Sequence, residues 1–221
     1  KKLTMLNDLT KNGKWGLETS SVTSNMVPIT DQTLGLVSLG NIGRAVARKA
    51  QALGMHVIAY DPYVQPWIAK EYRVELVGSL NDLASRSDFV SMHTPLNNQT
   101  RHLVGADFFK AMKPTAYFIN TCRGSTVDED ALINALKTKE FAGAGLDVFD
   151  IEPTPTDNPL FQMENVMVTP HSAGTSNRAG IAAQIQVGQE AARLLNGSWP
   201  MSLVNPEVRS SIGVRPLATR G

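Results

Sequence analysis

The sequence of 221 residues is poor in cysteine, in long apolar runs and in net charge. Cys122 is the single cysteine, which excludes an intramolecular disulfide framework and a zinc site built from several cysteines. The formal net charge is +1 and the lysines and arginines are scattered, so no basic tract indicates nucleic acid. No apolar run approaches the roughly 20 residues that cross a bilayer, and no signal sequence opens the chain. These absences predict a soluble, cytoplasmic protein with no nucleic-acid or membrane partner.

The chain nevertheless has enough apolar residues to bury a full core, at 42% hydrophobic content. Short apolar runs of strand length alternate with segments of helical periodicity, as in an open parallel sheet covered by helices on both faces. Strands are predicted at residues 34–39, 56–60, 73–77, 88–93, 116–121, 143–148 and 166–169. Helices are predicted at residues 42–53, 79–86, 105–112, 128–139 and 176–195. The predicted fold class is therefore α/β, with a doubly wound parallel sheet of the Rossmann type.

The stretch from Thr33 to Asp61 combines a strand, a glycine-containing turn, a helix and a second strand that ends in an acid. Gly40 and Gly43 let the backbone approach a pyrophosphate, and the helix directs its free N–H groups at the phosphates. Asp61 follows at about the spacing at which an acid meets a ribose 2′-hydroxyl, and its charge would repel the 2′-phosphate of NADP. Ser38 stands where the pattern has its first glycine, giving S-x-G-x-x-G. The stretch predicts an NAD(H) site; the alternative is that the glycines serve only close helix–strand packing.

Polar residues follow the predicted strands at the edge of the sheet where open α/β folds bind their ligands. They are Asp61, His93, Thr94, Pro95, Thr121, Cys122, Arg123, Gly124, Asp147, Thr169, Pro170 and His171. His93 either lines the cofactor cleft or packs beneath it. Cys122 is read as a small buried hydrophobe, since nothing in the pattern requires a thiolate.

Arg123, Glu152 and His171 form a chemically competent set if they meet at that edge. A guanidinium binds a carboxylate through two parallel hydrogen bonds. A histidine can give a proton to a carbonyl oxygen as hydride arrives, or take it back in the reverse direction. A glutamate beside the imidazole favours its protonated form and fixes its orientation. The alternatives are a structural histidine at 171 and a simple salt bridge for Arg123.

Six stretches, specific in this combination and order, carry a resemblance to a known family: GLVSLGNIGRA, VIAYDP, MHTPLNNQTRHLV, INTCRGSTVDEDAL, GAGLDVFDIEP and VTPHSAG. From about Trp15 to Val208 the sequence resembles the D-isomer-specific 2-hydroxyacid dehydrogenases. The resemblance implies that Arg123 binds the substrate carboxylate, that His171 is the general acid and base, and that Glu152 is its partner. It implies that Gly40, Asn41, Ile42 and Asp61 hold the adenosine and pyrophosphate, and that Thr94, Thr121, Cys122, Arg123 and Asp147 line the nicotinamide side. With the glycine turn and the strand ends, the predicted cofactor site is Ser38, Gly40, Asn41, Ile42, Gly43, Asp61, His93, Thr94, Pro95, Thr121, Cys122, Arg123, Asp147, His171 and Gly174.

The resemblance also implies a domain organisation. Residues 1–32 are expected to be an inter-domain crossing segment and linker, and residues 33–200 the NAD-binding domain that carries the catalytic residues. Residues 201–221 are expected to return toward a second, smaller substrate domain that is largely absent from this chain. A homodimer packed through the coenzyme domains is expected.

The predicted function is NAD(H)-dependent interconversion of a D-2-hydroxy acid and a 2-oxo acid of the glyoxylate or hydroxypyruvate type, without a metal. A second possibility is an NAD-sensing scaffold like the transcriptional corepressors that resemble this family, which retain the same three residues. A third is a formate dehydrogenase of similar architecture, against which Glu152 argues, because that relative carries a neutral partner there. The identity of the 2-hydroxy acid stays open.

Overall fold

The computed structural model describes residues 3–24, 26–211 and 213. The chain divides into two compact units, the first ending at His171 and the second beginning at Ser172. The domain limits predicted at residues 32 and 200 remain predictions. Among the described residues, no helix combines the length and apolar character needed to cross a membrane.

A seven-stranded sheet forms the centre of the first unit, and every pair of neighbouring strands is parallel. The strands are β1 (Thr33–Val37), β2 (His56–Tyr60), β3 (Glu75–Leu76), β4 (Phe89–Met92), β5 (Tyr117–Asn120), β6 (Gly143–Leu146) and β7 (Val166–Val168). Their order is β3-β2-β1-β4-β5-β6-β7. The order reverses between β1 and β4, and such a switch point opens a crevice at the carboxyl ends of the strands. The predicted fold class is confirmed.

The helices of the described residues are α1 (Leu3–Lys11), α2 (Ser20–Thr23), α3 (Asn41–Ala52), α4 (Pro66–Glu71), α5 (Leu80–Arg86), α6 (Ala106–Ala111), α7 (Glu129–Lys137) and α8 (Asn177–Leu195). Short 3₁₀ helices occupy Gly16–Thr19, Gly124–Thr126, Pro159–Gln162 and Pro206–Ser210. Helices α5, α7 and α8 are capped by the side chains of Ser79, Asp128 and Ser176. Each accepts a hydrogen bond from a backbone amide in the first turn of its helix. In the first unit, α3, α5, α6 and α7 match helices predicted from the sequence. In the second unit, α8 matches the helix predicted at residues 176–195.

Three local features differ from the sequence expectations. The strand predicted at 73–77 is reduced to β3, because Arg73 has a left-handed φ of 53° and the strand lies at the edge of the sheet. Helix α4 was not predicted; it begins with Pro66, whose fixed φ suits the first helical position. Residues 1–32, expected as a crossing segment and linker, contain the short helix α2.

Two apolar clusters cover the two faces of the sheet. Alternate residues of β1 point to opposite faces, so Leu36 joins one cluster and Val37 joins the other. The Leu36 cluster includes α3 residues such as Ala47, while the Val37 cluster contains Leu83 of α5 and Phe109 of α6. Helices therefore pack on both faces, which leaves the carboxyl-terminal edge of the strands as the place for a site.

The second unit contains α8, and none of the residues of this helix is buried. Within this unit, Glu190 accepts a hydrogen bond from the amide of Met201 at 2.8 Å. The guanidinium of Arg209 lies 5.8 Å from the centre of the Trp199 ring. Residues 212 and 214–221 of the predicted C-terminal segment lie outside the described residues.

Candidate active site

The glycine turn joins β1 to α3, and its two glycines have different structural roles. A Cβ on Gly43 would lie 2.4 Å from the carbonyl oxygen of Ser38, so close packing of α3 on the turn excludes any larger residue there. A Cβ on Gly40 would meet only Ser38 Oγ at 3.9 Å, and φ of Gly40 is −70°. Neither packing nor backbone conformation requires glycine at position 40. The alternative of packing glycines therefore explains Gly43 but not Gly40.

The first turn of α3 is built to receive an anion. Gly40 is its N-cap and supplies no side-chain hydrogen bond to the free amides of the helix. Asn41 and Ile42 follow as the first helical residues and are exposed, Ile42 by 66%. Helix N-termini with free amides bind phosphate groups, and the open space at Gly40 gives a pyrophosphate access to them.

Asp61 lies beside this turn, directly after β2. Its Oδ2 accepts hydrogen bonds from the amide of Leu39 at 2.8 Å and from Ser38 Oγ at 3.1 Å. Its Oδ1 accepts from the amides of Tyr63 at 2.9 Å and Val64 at 3.1 Å. The carboxylate predicted to bind the adenosine ribose is thus fixed against the turn predicted to bind the pyrophosphate.

Residues after β4 line the switch point next to β1. The amide of His93 donates to the carbonyl of Val37 at 2.9 Å, and Thr94 Oγ1 donates to the same oxygen at 3.1 Å. His93 Nε2 lies 3.0 Å from Ser91 Oγ, and burial lowers the pKa of His93 to about 4. Pro95 follows and is exposed. His93 is therefore a half-buried, neutral imidazole next to the glycine turn.

Asn120 organises the loop after β5, a role that sequence reasoning missed. Its buried Oδ1 accepts hydrogen bonds from the amide and the thiol of Cys122, at 3.0 and 3.1 Å. Its Nδ2 donates to the carbonyl of Arg123 at 3.0 Å, and Thr126 Oγ1 donates to the same oxygen at 2.6 Å. The loop leaves Thr121 and Arg123 exposed at the strand end. A polar residue at the end of a buried strand was the available signal for Asn120.

The loop after β6 crosses directly above Gly124. A Cβ on Gly124 would lie 1.8 Å from the carbonyl carbon of Phe149, so only glycine allows this crossing. Ser125 Oγ donates to the carboxylate of Asp150. Glu129 of α7 accepts from the amide of Asp150 at 3.0 Å. These contacts hold the loop that carries Glu152 over the loop that carries Arg123.

Glu152 and His171 are joined by a close side-chain contact at this edge. His171 Nδ1 lies 2.7 Å from Glu152 Oε2, and the amide of Phe149 donates to Oε1 of Glu152 at 2.9 Å. The hydrogen bond to His171 lowers the pKa of Glu152 most, and the Phe149 amide and the charge on Arg123 lower it further, against the opposing effect of burial. Arg123, Glu152 and His171 are therefore electrostatically linked at one edge of the sheet.

Asp147 ties the strand ends together. Its amide donates to the carbonyl of Asn120 at 2.9 Å, and its own carbonyl accepts from the amide of His171 at 2.8 Å. Thr169 Oγ1 donates to Asp147 Oδ1 at 2.5 Å, and only 3% of Asp147 is exposed. Hydrogen bonds thereby join the end of β5 to the end of β6, and the end of β6 to the end of β7. This chain of contacts places His171 next to the loop of Arg123.

A family comparison identifies this arrangement. Residues 1–173 match the family model for the NAD binding domain of D-isomer specific 2-hydroxyacid dehydrogenases. The chain belongs to this family. The match covers the glycine turn, Asp61 and all three of Arg123, Glu152 and His171.

Individual relatives agree with the family model. The chain is 41% identical over 206 residues to a glyoxylate reductase of Korarchaeum cryptofilum, covering 93% of this chain and 61% of that relative. It is 40% identical over 179 residues to a D-3-phosphoglycerate dehydrogenase of Methanocaldococcus jannaschii, covering 81% of this chain and 34% of that one. The chain thus spans less than two thirds of the length of these relatives.

A solved structure shows the same fold. The D-lactate dehydrogenase of Lactobacillus jensenii, solved with NAD⁺, superposes with a TM-score of 0.78 at 32% identity, over 92% of this chain and 63% of that chain. The chain therefore carries the family's NAD-binding Rossmann domain. The open position at Gly40 and the free amides of α3 fit the pyrophosphate of that cofactor.

A groove of about 580 Å³ lies beside Glu152 and His171, lined by Phe149, Glu152, Pro153, Thr154, Phe161, Val168, Thr169, Pro170 and His171. Another cavity, of about 530 Å³, lies near residues that begin strands, such as Thr33 and His56. Ligands of open α/β sheets bind at the carboxyl ends of the strands, and the groove beside Glu152 lies at that edge.

One predicted cofactor residue, Gly174, lies in the second unit, in the segment before α8.

Proposed function

We propose that the protein is an NAD(H)-dependent oxidoreductase that interconverts a D-2-hydroxy acid and its 2-oxo acid, with a substrate of the glyoxylate or hydroxypyruvate type. The observation that carries the proposal is the 2.7 Å pair of His171 and Glu152 beside Arg123, at the sheet edge next to the NAD-binding turn. The glyoxylate reductase at 41% identity supports the substrate class. We place it in the cytoplasm and infer a homodimer.

The residues divide the chemistry between them. Bound NADH supplies a hydride for the substrate's second carbon, and NAD⁺ accepts it in the reverse direction. Arg123 anchors the substrate carboxylate, for which a guanidinium offers two parallel donors. Since Nδ1 of His171 is engaged with Glu152, we assign Nε2 to the proton that moves to or from the substrate oxygen. Glu152 fixes the imidazole in orientation.

The cofactor preference follows from Asp61. Its carboxylate lies beside the turn that receives the pyrophosphate, and a negative charge there repels the 2′-phosphate of NADP. We therefore infer that NADH binds more tightly than NADPH. We also infer that sequence beyond this chain supplies the remainder of the substrate domain.

A steady-state assay tests the proposal with the gene product expressed from its natural start codon. We expect loss of NADH absorbance with glyoxylate, hydroxypyruvate or pyruvate, and much slower loss of NADPH. Tight NADH binding without oxidation by any 2-oxo acid would contradict the enzymatic proposal and favour an NAD-sensing scaffold. Calorimetric titration with NADH and NADPH provides the binding measurement.

A further inference from the structure

Asp61 accepts four hydrogen bonds from the protein itself. Oδ2 accepts from the Leu39 amide at 2.8 Å and from Ser38 Oγ at 3.1 Å. Oδ1 accepts from the amides of Tyr63 at 2.9 Å and Val64 at 3.1 Å. An ionised carboxylate has about four lone-pair positions for donors. The acceptor capacity of Asp61 is therefore already used within the protein.

The four donors differ in how easily they move. Those of Leu39, Tyr63 and Val64 are backbone amides, whose positions are set by the glycine turn and by the loop after β2. The Ser38 hydroxyl is a side-chain donor that can turn away by rotation about one bond. Its 3.1 Å separation is also long for an O–H···O hydrogen bond, which is usually about 2.5–3.0 Å. An incoming donor therefore displaces the Ser38 hydroxyl most easily.

The adenosine ribose of a dinucleotide presents such donors to the acid at this position. We propose that the Ser38 hydroxyl competes with the adenosine ribose for Oδ2 of Asp61, so that Ser38 weakens NAD(H) binding and speeds its release. The inference rests on the proposed function, because it assumes that NAD(H) occupies this cleft. Ser38 is a residue that sets cofactor affinity through Asp61, at the position where the fingerprint has glycine.

Two substitutions separate the hydroxyl from the backbone conformation. Ser38 has a φ of 84°, which glycine adopts readily and other residues do not. S38A removes the hydroxyl but keeps the Cβ in that conformation, whereas S38G removes both. We expect S38G to melt at a higher temperature than S38A, while both gain the same affinity for NADH.

Titration of NADH, followed by nicotinamide fluorescence and by calorimetry, tests the proposal. We expect Kd to fall roughly three- to tenfold in both variants, the range expected for one modest hydrogen bond. ADP and 2′,3′-dideoxy-ADP then serve as competitors of NADH. The variants should bind ADP more tightly than wild type does, but should bind the analogue without ribose hydroxyls no better. S85A is the matched control, because Ser85 Oγ bonds to the Asp82 carbonyl on the exposed side of α5.

Three outcomes would overturn the inference. Unchanged or weaker NADH binding by S38A would mean that the hydroxyl supports Asp61 instead of competing with its ligand. A gain confined to S38G would assign the effect to the Cβ, and equal gains for ADP and its dideoxy analogue would exclude the ribose as the competitor. Failure of the wild type and every variant to bind NADH would instead contradict the proposed function itself.

Discussion

His171 Nδ1 lies 2.7 Å from Glu152 Oε2, although the two residues are 19 positions apart and follow different strands. The amide of His171 is held by the carbonyl of Asp147 at 2.8 Å, and Glu152 is held by the amide of Phe149 at 2.9 Å. Both partners of the pair are thus oriented by backbone contacts at the ends of β6 and β7. These backbone contacts orient the imidazole relative to the carboxylate, which is the geometry that the proposed acid and base role needs.

Replacing His171 by glutamine should remove the proton transfer while keeping the cofactor cleft. We expect kcat to fall by about two to four orders of magnitude, the usual contribution of a general acid and base, with the Kd for NADH nearly unchanged. Stopped-flow kinetics and NADH titration measure the two quantities. His56→Gln is the matched control, since His56 is exposed at the start of β2. Near-normal turnover of His171→Gln would refute the assignment.

The ionised carboxylate of Glu152 should stabilise the folded protein, and this stabilisation should be lost at acid pH. Its pKa is lowered from an ordinary 4.5, chiefly by the hydrogen bond to His171. The folded state therefore holds the carboxylate ionised, and the stabilisation is present above pH 4.5 and is lost as pH falls through the lowered pKa. The difference in unfolding free energy between wild type and Glu152→Gln should shrink across that acid range. Urea titrations at stepwise lower pH measure it, and a constant difference would contradict a lowered pKa of Glu152.

Gly124 should tolerate no side chain. A Cβ there would lie 1.8 Å from the carbonyl carbon of Phe149, so Gly124→Ala must move the loop that carries Glu152. We expect a loss of unfolding free energy of about 3 kcal/mol, at the upper end for overpacking, together with a large loss of turnover. Gly78→Ala is the control, because a Cβ at that exposed position meets nothing within 4 Å and should change stability by less than about 0.5 kcal/mol. Equal effects of the two substitutions would contradict the crossing.

The fold was predictable because its signals are local. The apolar run at 56–60 coincides with β2, and Ser79 caps α5 through the amide of Asp82 as its position before the helix predicted. Edge strand β3 is shorter than predicted because the left-handed backbone of Arg73 ends the extended run on one side, which leaves only Glu75 and Leu76 in register with β2. Periodicity reports burial along one segment; it carries no information on how far a partner strand extends.

The site was predictable only in part. Strand ends, chemical type and the family resemblance predicted Arg123, Glu152 and His171 as a set, and in the structure the charge on Arg123 and the imidazole of His171 both act on Glu152. Their supporting contacts could not be deduced, because they join distant segments: Glu129 accepts from the amide of Asp150, 21 residues away. The hydrogen bond from Ser38 to Asp61 likewise spans 23 residues. Sequence spacing does not encode such pairs; the packing of α7 and of the glycine turn brings them together.

His93 provides a pH test of the cleft that does not depend on turnover. Burial lowers its pKa from 6.5 to about 4, so between these values the unfolded chain binds a proton that the folded chain does not. Stability must therefore rise with pH across this window, and it is lost as pH falls from 6.5 toward 4. The full loss amounts to about 3 kcal/mol at most, from the free energy equivalent of the pKa shift. His93→Gln keeps a polar partner for Ser91 Oγ but has no group that titrates there. Urea unfolding across this pH range should show wild type losing stability that the variant retains, and parallel curves would mean that the imidazole is open to water.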